Sequence, residues 1–501
     1  MKILATLALT GATLIDGTGR APIPDAVVLI RDGRIAAAGP RSRVPIPQGA
    51  RIEDLRGKFL VPGFFDMHAH VTILFGTKDA QGYDPATSAA VLEKLLAFGI
   101  TTVRNPSAPL PVGVELRDAV ASGKLRGPRI FTTGESVNGR AFRSGPNGIV
   151  HTEEEARQEV RRQVAAGVDA IKLYSGLQPD LARAAIAEAH ARKVRVVGHL
   201  GTTTWTEGAQ AGIDGVEHGA PWTADWLAPA DREAYERAVD ENGMKARILW
   251  LERLNLQGPE VTAAVDELVR HHVTVDPTLI AYATKFEGDD PKYIASLDFA
   301  VCPPALIADW KKGTFVSDWT ADDFRRGHAA WPKVLQLAKL YYDRGVTLLT
   351  GSDLPNPWVI PGVSYHQELA LLAEAGIPPL EILKMATHNG AEALGILAEV
   401  GTIEPGKQAD LVVLQADPLA DIHNTRRIEK VMQRGEWTLT PAPLPAPPAL
   451  SPGEGRKAKT TATSTELFLP LVSPLPAGVW GELGEGPGVR AHPLARAAAA
   501  K

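Results

Sequence analysis

Cysteine is almost missing from this chain of 501 residues; Cys302 stands alone. That excludes an intrachain disulfide and any metal site built on several thiolates, and it fits a reducing, cytoplasmic setting. Long apolar runs are missing too. No stretch approaches the roughly 18–20 apolar residues of a membrane span, so no membrane partner is expected. Nor is there an excess of positive charge. Lys and Arg number 53 against 58 Asp and Glu, a net charge of −5 with the two signs interspersed, which gives no footprint for nucleic acid or an anionic lipid surface. What is present has the balance of a soluble globular protein, with room for one large domain of roughly 250–350 residues and a smaller one.

The first sixty residues read as short strands and tight turns. Met1-Lys2 followed by the apolar run 3–12 could open a secretory signal, but the run flows into 13–17 with the same texture, which favours a β-strand. Asp32-Gly33 between two β-type runs is a hairpin signal. From Val61 the rhythm becomes strand, loop, helix. Strand patterns are expected at 61–67, 100–104, 128–134, 170–174, 194–200, 215–218, 273–279 and 346–352, with helices at about 85–99, 152–166 and 180–192 between them. The helix at 152 is signalled by Thr152 with Glu155 three positions on. Eight such units predict an α/β fold, a closed (β/α)8 TIM barrel.

The expected organisation is therefore a discontinuous β-sandwich domain built from residues 1–60 and 396–440, around a barrel at 61–395. Insertions near 221–271 and 285–331, rich in Trp, are expected to cover the barrel mouth. Beyond residue 440 the texture turns to Pro, Ala and Gly, and 441–501 reads as a disordered extension with no function assigned to it.

Chemistry concentrates at the predicted strand ends. His68 and His70 are one residue apart at the close of the first barrel strand, where residues i and i+2 share a face. Lys172 lies on the fourth, His199 closes the fifth, His218 the sixth and Asp353 the eighth. Side chains at the C-terminal ends of barrel strands point toward one place above the axis, and imidazole with carboxylate suits Zn²⁺, Mn²⁺, Co²⁺ or Ni²⁺. Lysine is the odd donor, because an ammonium has no lone pair to give. Either its pKa falls until it is neutral, or its amine takes up CO2 as a carbamate, an anion able to bridge two ions. Asp66, deeper on the face of His68, is expected to support the ligands rather than join them.

Taken together, the segments 62–70, 169–172, 197–199, 215–219, 350–353 and 401–412 resemble the amidohydrolase superfamily over about residues 8–438. The nearest subgroup is the binuclear imidazolonepropionase-like and prolidase-like hydrolases with a carboxylated lysine. The resemblance implies two divalent ions, zinc foremost. His68, His70 and Asp353 would hold one and His199 and His218 the other, with a carbamate on Lys172 and a hydroxide between them. It implies attack of that hydroxide on an amide of a small N-acyl amino acid, dipeptide or aryl amide. Asp353 is the catalytic residue, passing the proton to the leaving amine.

For substrate contact the candidates are Tyr174, two positions after Lys172; Arg140 and Arg143, in a Gly-rich loop and able to clamp a carboxylate; and Trp222, which with Trp205 and Trp226 hints at an apolar or aryl group. The remaining histidines are assigned to surface or packing. The partner is a small molecule, and a homo-oligomer is compatible with such a barrel. The same centre could instead cleave an ester, lactone, phosphotriester or cyclic amide. A single-metal deaminase is disfavoured, since Leu200-Gly201-Thr202 after His199 supplies no His-x-x-Glu pair, and a non-enzymatic scaffold is disfavoured because every expected donor is present.

Overall fold

The computed structural model describes residues 6–72, 85–141 and 147–438. They lie in one compact unit spanning Met1–Pro447; the extension expected at 441–501 lies outside the described residues. No helix among the described residues is long and apolar enough to cross a membrane.

Residues from 7–62 and 411–437 share one eight-stranded sheet. Leu7–Leu14 pairs with Ile23–Arg31 along one edge, while its other edge forks, to Arg51–Asp54 in its first half and Phe59–Pro62 in its second. Leu411–Leu414 then joins Phe59–Pro62 antiparallel, with Val412 opposite Val61. Alternation explains the burial. Leu7, Leu9, Val28 and Ile30 feed one small core with Leu411 and Val413, while Ala8, Val27 and Leu29 feed a second with Val44. The hairpin at Asp32-Gly33 forms as expected, between Ile23–Arg31 and Arg34–Pro40, with both turn residues in the left-handed region (φ 53° and 74°).

The barrel strands are short and parallel. Phe64–Asp66, Ile100–Asn105 and Arg129–Thr132 form one sheet. Ala170–Leu173, Arg195–Gly198, Gly215–Glu217 and Thr274–Asp276 belong to a second, which also includes Ser136–Asn138 and Asn147–Ile149. An isolated parallel bridge, Thr133 to Ala170, links the two. The eighth strand expected at 346–352 is not a regular strand. Its backbone instead makes single bridges, Leu348 to Val275 on one side and Leu354 to Ala69 on the other. Hydrogen bonds from Leu349 to Val275, Met67 to Thr350 and His70 to Leu354 carry the ring through this irregular segment.

Outer helices are fixed by familiar local chemistry. Pro259 opens Pro259–Arg270, and Val261, Ala264, Val265 and Leu268 recur at helical spacing on its buried face. Burial stabilises each of those larger side chains by about 1.5–3 kcal/mol, so Val265→Asp would break the packing. Thr152 caps Glu153–Ala165 by accepting from Glu155, although the Glu155 carboxylate reaches His151 N–H rather than Thr152. The insertions are mostly helical, including Pro229–Arg253, Pro304–Trp310 and Ala321–Ala330.

Candidate metal centre and active site

The end of the first barrel strand is tied to the 350–354 segment before any ligand is considered. Buried Asp66 accepts from Ser352 Oγ at 2.6 Å, Ser352 N–H at 2.9 Å and His68 N–H at 3.2 Å, while Asp353 N–H donates to the His68 carbonyl at 2.7 Å. This lattice brings His68, His70 and Asp353 together. His68 Nε2 lies 3.2 Å from His70 Nε2, and Asp353 Oδ1 lies 3.2 Å from the first and 3.4 Å from the second.

Across the cup, His218 Nε2 faces His199 Nδ1 at 2.9 Å, and His218 Nδ1 is 2.9 Å from Thr278 Oγ1. Asp353 Oδ2 reaches toward His218 Nδ1 at 3.8 Å and so joins the two halves. Three of these residues take backbone conformations that L side chains rarely adopt: His218 (φ 75°), Thr278 (φ 45°) and Asp353 (φ 56°). Each directly follows or lies near a strand end, and such strain persists where surrounding contacts over-determine it, as at functional sites. Lys172, in register with Val197 of the neighbouring strand, points inward and pairs with Glu217.

All six donors foreseen from the sequence therefore line one cleft, which also has Tyr174, Ser107, Met244, Arg247, Tyr282, Lys285, Phe315 and Asn356 on its walls. A concave lining of convergent polar groups beside aromatic side chains suits a small molecule. Among the described residues, two groups have the spacing for a metal ion: His68 with His70 and Asp353, and His68 with Glu217 and His218.

Burial dominates the electrostatics. It pushes His68, His199 and His218 well below the usual histidine range, with Lys172 adding to each, and it lowers Lys172 well below the usual amine range. It raises Asp66 to about 7, against the hydrogen bonds from Ser352 and His68. A charged layer that the sequence did not reveal lies under the donors. Arg104 Nη2 is 3.4 Å from Asp276 and 3.6 Å from Glu217, whose Oε1 is 3.8 Å from His68 Nδ1. Burial raises Asp276 to about 7, and Arg104 opposes it. Charged residues at the ends of short apolar strands were the available signal, since Arg104 closes the second strand pattern and Glu217 precedes His218.

The expected substrate contacts fare unevenly. Tyr174 lines the cleft, its ring 4.9 Å from that of His199. Burial raises its phenol well above the ordinary tyrosine range. Arg140 is exposed and does not line the cleft, and Arg143 lies outside the described residues. Trp222 is one layer back, donating from Nε1 to the hydroxyl of Tyr282 at 2.9 Å. Trp205 and Trp226 are fully buried against each other and Tyr341, so they pack the insertion rather than face substrate. The cleft wall is instead supplied by Met244, Arg247, Tyr282, Lys285 and Phe315, for which the sequence carried no local signal.

Residues 59–438 match the sequence model of the Amidohydrolase family. The chain is 24% identical over 424 residues to an imidazolonepropionase from Agrobacterium fabrum, covering 81% of this chain and 88% of that protein. It is 24% identical over 466 residues to ochratoxinase from Aspergillus niger, covering 82% and 81%. Among solved structures, a Bifidobacterium longum protein assigned as a prolidase is similar with a TM-score of 0.65 at 25% identity, over 88% of this chain and 96% of that one.

Proposed function

The chain belongs to the amidohydrolase family of metal-dependent hydrolases, and on that premise we propose that it cleaves the amide C–N bond of a small N-acyl amino acid, dipeptide or aryl amide. The observation that carries this is the meeting of His68, His70, Lys172, His199, His218 and Asp353 in one cleft. The donor set fits a pair of divalent ions. Nitrogen and oxygen atoms 3.2–3.4 Å apart present lone pairs to one point, an arrangement that a shared cation stabilises.

His68, His70 and Asp353 would hold one ion and His199 and His218 the other, with Lys172 as a carbamate serving both; zinc is the first choice, then manganese, cobalt or nickel. When bound, the ions supply Lewis acidity at the scissile carbonyl and a water of lowered pKa. Asp353, in contact with both halves of the cup, takes the proton of the attacking water and returns it to the leaving amine nitrogen. Tyr174, on the cleft wall with its ring 4.9 Å from that of His199, would donate its phenol O–H toward the substrate oxygen. Thr278 orients His218 through its second nitrogen.

Elemental analysis of the purified protein should give close to two transition ions per chain. Lys172→Ala should lose metal and turnover on N-acyl amino acids together. A Lys172→Ala protein with full metal content and full turnover would remove the bridging role.

A further inference from the structure

Two cations line the cleft with no carboxylate within ion-pairing distance among the described residues, Asp353 acting on Lys285 only at longer range. Arg247 lies in the helix Pro229–Arg253, which is kinked at Asn242; the Asn242 carboxamide oxygen accepts from Met244 and Lys245 N–H, each at 3.1 Å, and so starts the second half of that helix afresh. That restart directs Met244 and Arg247 into the cleft. Lys285 comes from Leu279–Phe286, on the other side.

The Arg247 guanidinium carbon stands 5.2 Å from the Trp222 ring centroid and 5.9 Å from that of Tyr282. The Lys285 ammonium is 5.3 Å from the Tyr282 centroid and 5.5 Å from that of Phe315, and it donates to the Ala281 carbonyl at 2.7 Å and Asn356 Oδ1 at 3.2 Å. Among the described residues neither head group has a carboxylate within ion-pairing distance, whereas Lys245, two residues before Arg247, is paired with Asp323 at 2.9 Å. Both side chains are half-buried; partial withdrawal of a cation from water is unfavourable unless an anion or dense hydrogen bonding compensates, and ring faces return only about 0.5–2 kcal/mol. Two such cations on one aromatic wall leave a site built for an anion.

The position of that wall matters. The Tyr282 ring centroid is 6.1 Å from that of His218 and also lies 5.9 Å from the Arg247 guanidinium carbon and 5.3 Å from the Lys285 ammonium. An anion held by these cations would share the cleft with the donors that would engage the scissile amide.

We propose that Arg247 and Lys285 form a subsite for a carboxylate on the substrate, making the enzyme selective for amides whose amino or acyl part carries a free carboxylate beside an apolar group. Arg247 offers the planar fork that matches a carboxylate in two bonds. Lys285 adds a point charge held in place by Ala281 and Asn356. Met244, Tyr282 and Phe315 receive the apolar part. The inference deepens the amide reading and rests on it for turnover, though not for binding.

The test uses matched pairs, N-benzoyl and N-acetyl amino acids against their C-terminal carboxamides, so that the scissile bond is unchanged and only the charge differs. Two charge-assisted contacts predict a kcat/KM ratio of acid to carboxamide of about 10²–10³. In Arg247→Met and in Lys285→Met that ratio should fall at least tenfold; a variant that merely misfolds lowers both members and leaves the ratio alone. Calorimetric binding of the same pairs to the metal-loaded protein reads the subsite without turnover. Acid-selective binding with no hydrolysis of either member supports the subsite and removes the amide reading. Equal binding of acid and carboxamide, no binding of any pair at millimolar concentration, or tighter binding of phenyl phosphate than of benzoylated acids overturns the carboxylate subsite.

Discussion

Replacing Thr278 with Val tests whether the cleft is a tuned metal centre or a cluster of packed imidazoles. The two side chains have nearly the same shape, and Thr278 is fully buried, so the change removes one hydroxyl and little else. That hydroxyl is 2.9 Å from His218 Nδ1. Its loss leaves a buried ring nitrogen without a partner, at about 1–3 kcal/mol. At about 1.4 kcal/mol per factor of ten, metal affinity should drop by about 5–150-fold, a span that brackets the roughly 10–100-fold typical of lost supporting contacts. The left-handed backbone at Thr278 is kept, because Val is branched in the same way. The assay is a competition between the protein and a chelator of known affinity, with bound metal counted at each chelator concentration. Thr278→Ser, which keeps the oxygen, should bind as the parent does. If Thr278→Val holds its metal as tightly as the parent, His218 is not a ligand oriented through that nitrogen.

Three further outcomes follow from particular contacts. A Cβ on Gly351 would lie 2.6 Å from both Asp276 carboxylate oxygens and 2.8 Å from His68 Cβ, so Gly351→Ala should displace His68 and cost at least tenfold in metal affinity; unchanged affinity would mean that the segment yields without moving the site. His366, bonded to Thr425 and to the Phe98 carbonyl, is held at about 3 by burial against an ordinary value of 6.5, so between those limits the unfolded chain binds a proton that the folded one does not. Stability should therefore fall as pH drops through that window, by up to about 1.4 kcal/mol per pH unit from this group, and His366→Gln should flatten the decline in thermal midpoint; parallel declines would refute the assignment. Amide substrates should outpace matched esters relative to the uncatalysed rates, because Asp353 serves an amine leaving group; ester turnover faster by several orders of magnitude would move the function to the ester class.

The sequence by itself determined much of this protein. A His-x-His at a strand end, three more donors at later strand ends and one inward lysine name a metal-hydrolase barrel, because strand periodicity and the polarity of the barrel turn linear position into a common direction. Asp32-Gly33 announces its hairpin for an equally local reason, since few residues tolerate two consecutive left-handed conformations. The eighth strand was legible as a place but not as a shape, because its backbone meets its neighbours only in single bridges at Leu348 and Leu354, the left-handed Asp353 lying between the two.

Other features were decided by packing rather than by linear position. Glu217, Arg104 and Asp276 meet beneath the donors because Gly215–Glu217 and Thr274–Asp276 stand side by side and Arg104 reaches them from Ile100–Asn105, a strand of the other sheet. The tryptophans of the insertion look alike in sequence, yet packing turned Trp205 and Trp226 into core and placed Trp222 behind Tyr282. Arg247 and Lys285 reach the cleft through a helix restarted at Asn242 and a short helix after the seventh strand. Local pattern fixes which way a side chain leaves its own element. Which element stands opposite is decided by packing over the whole chain, and the walls that would choose a substrate are of that second kind.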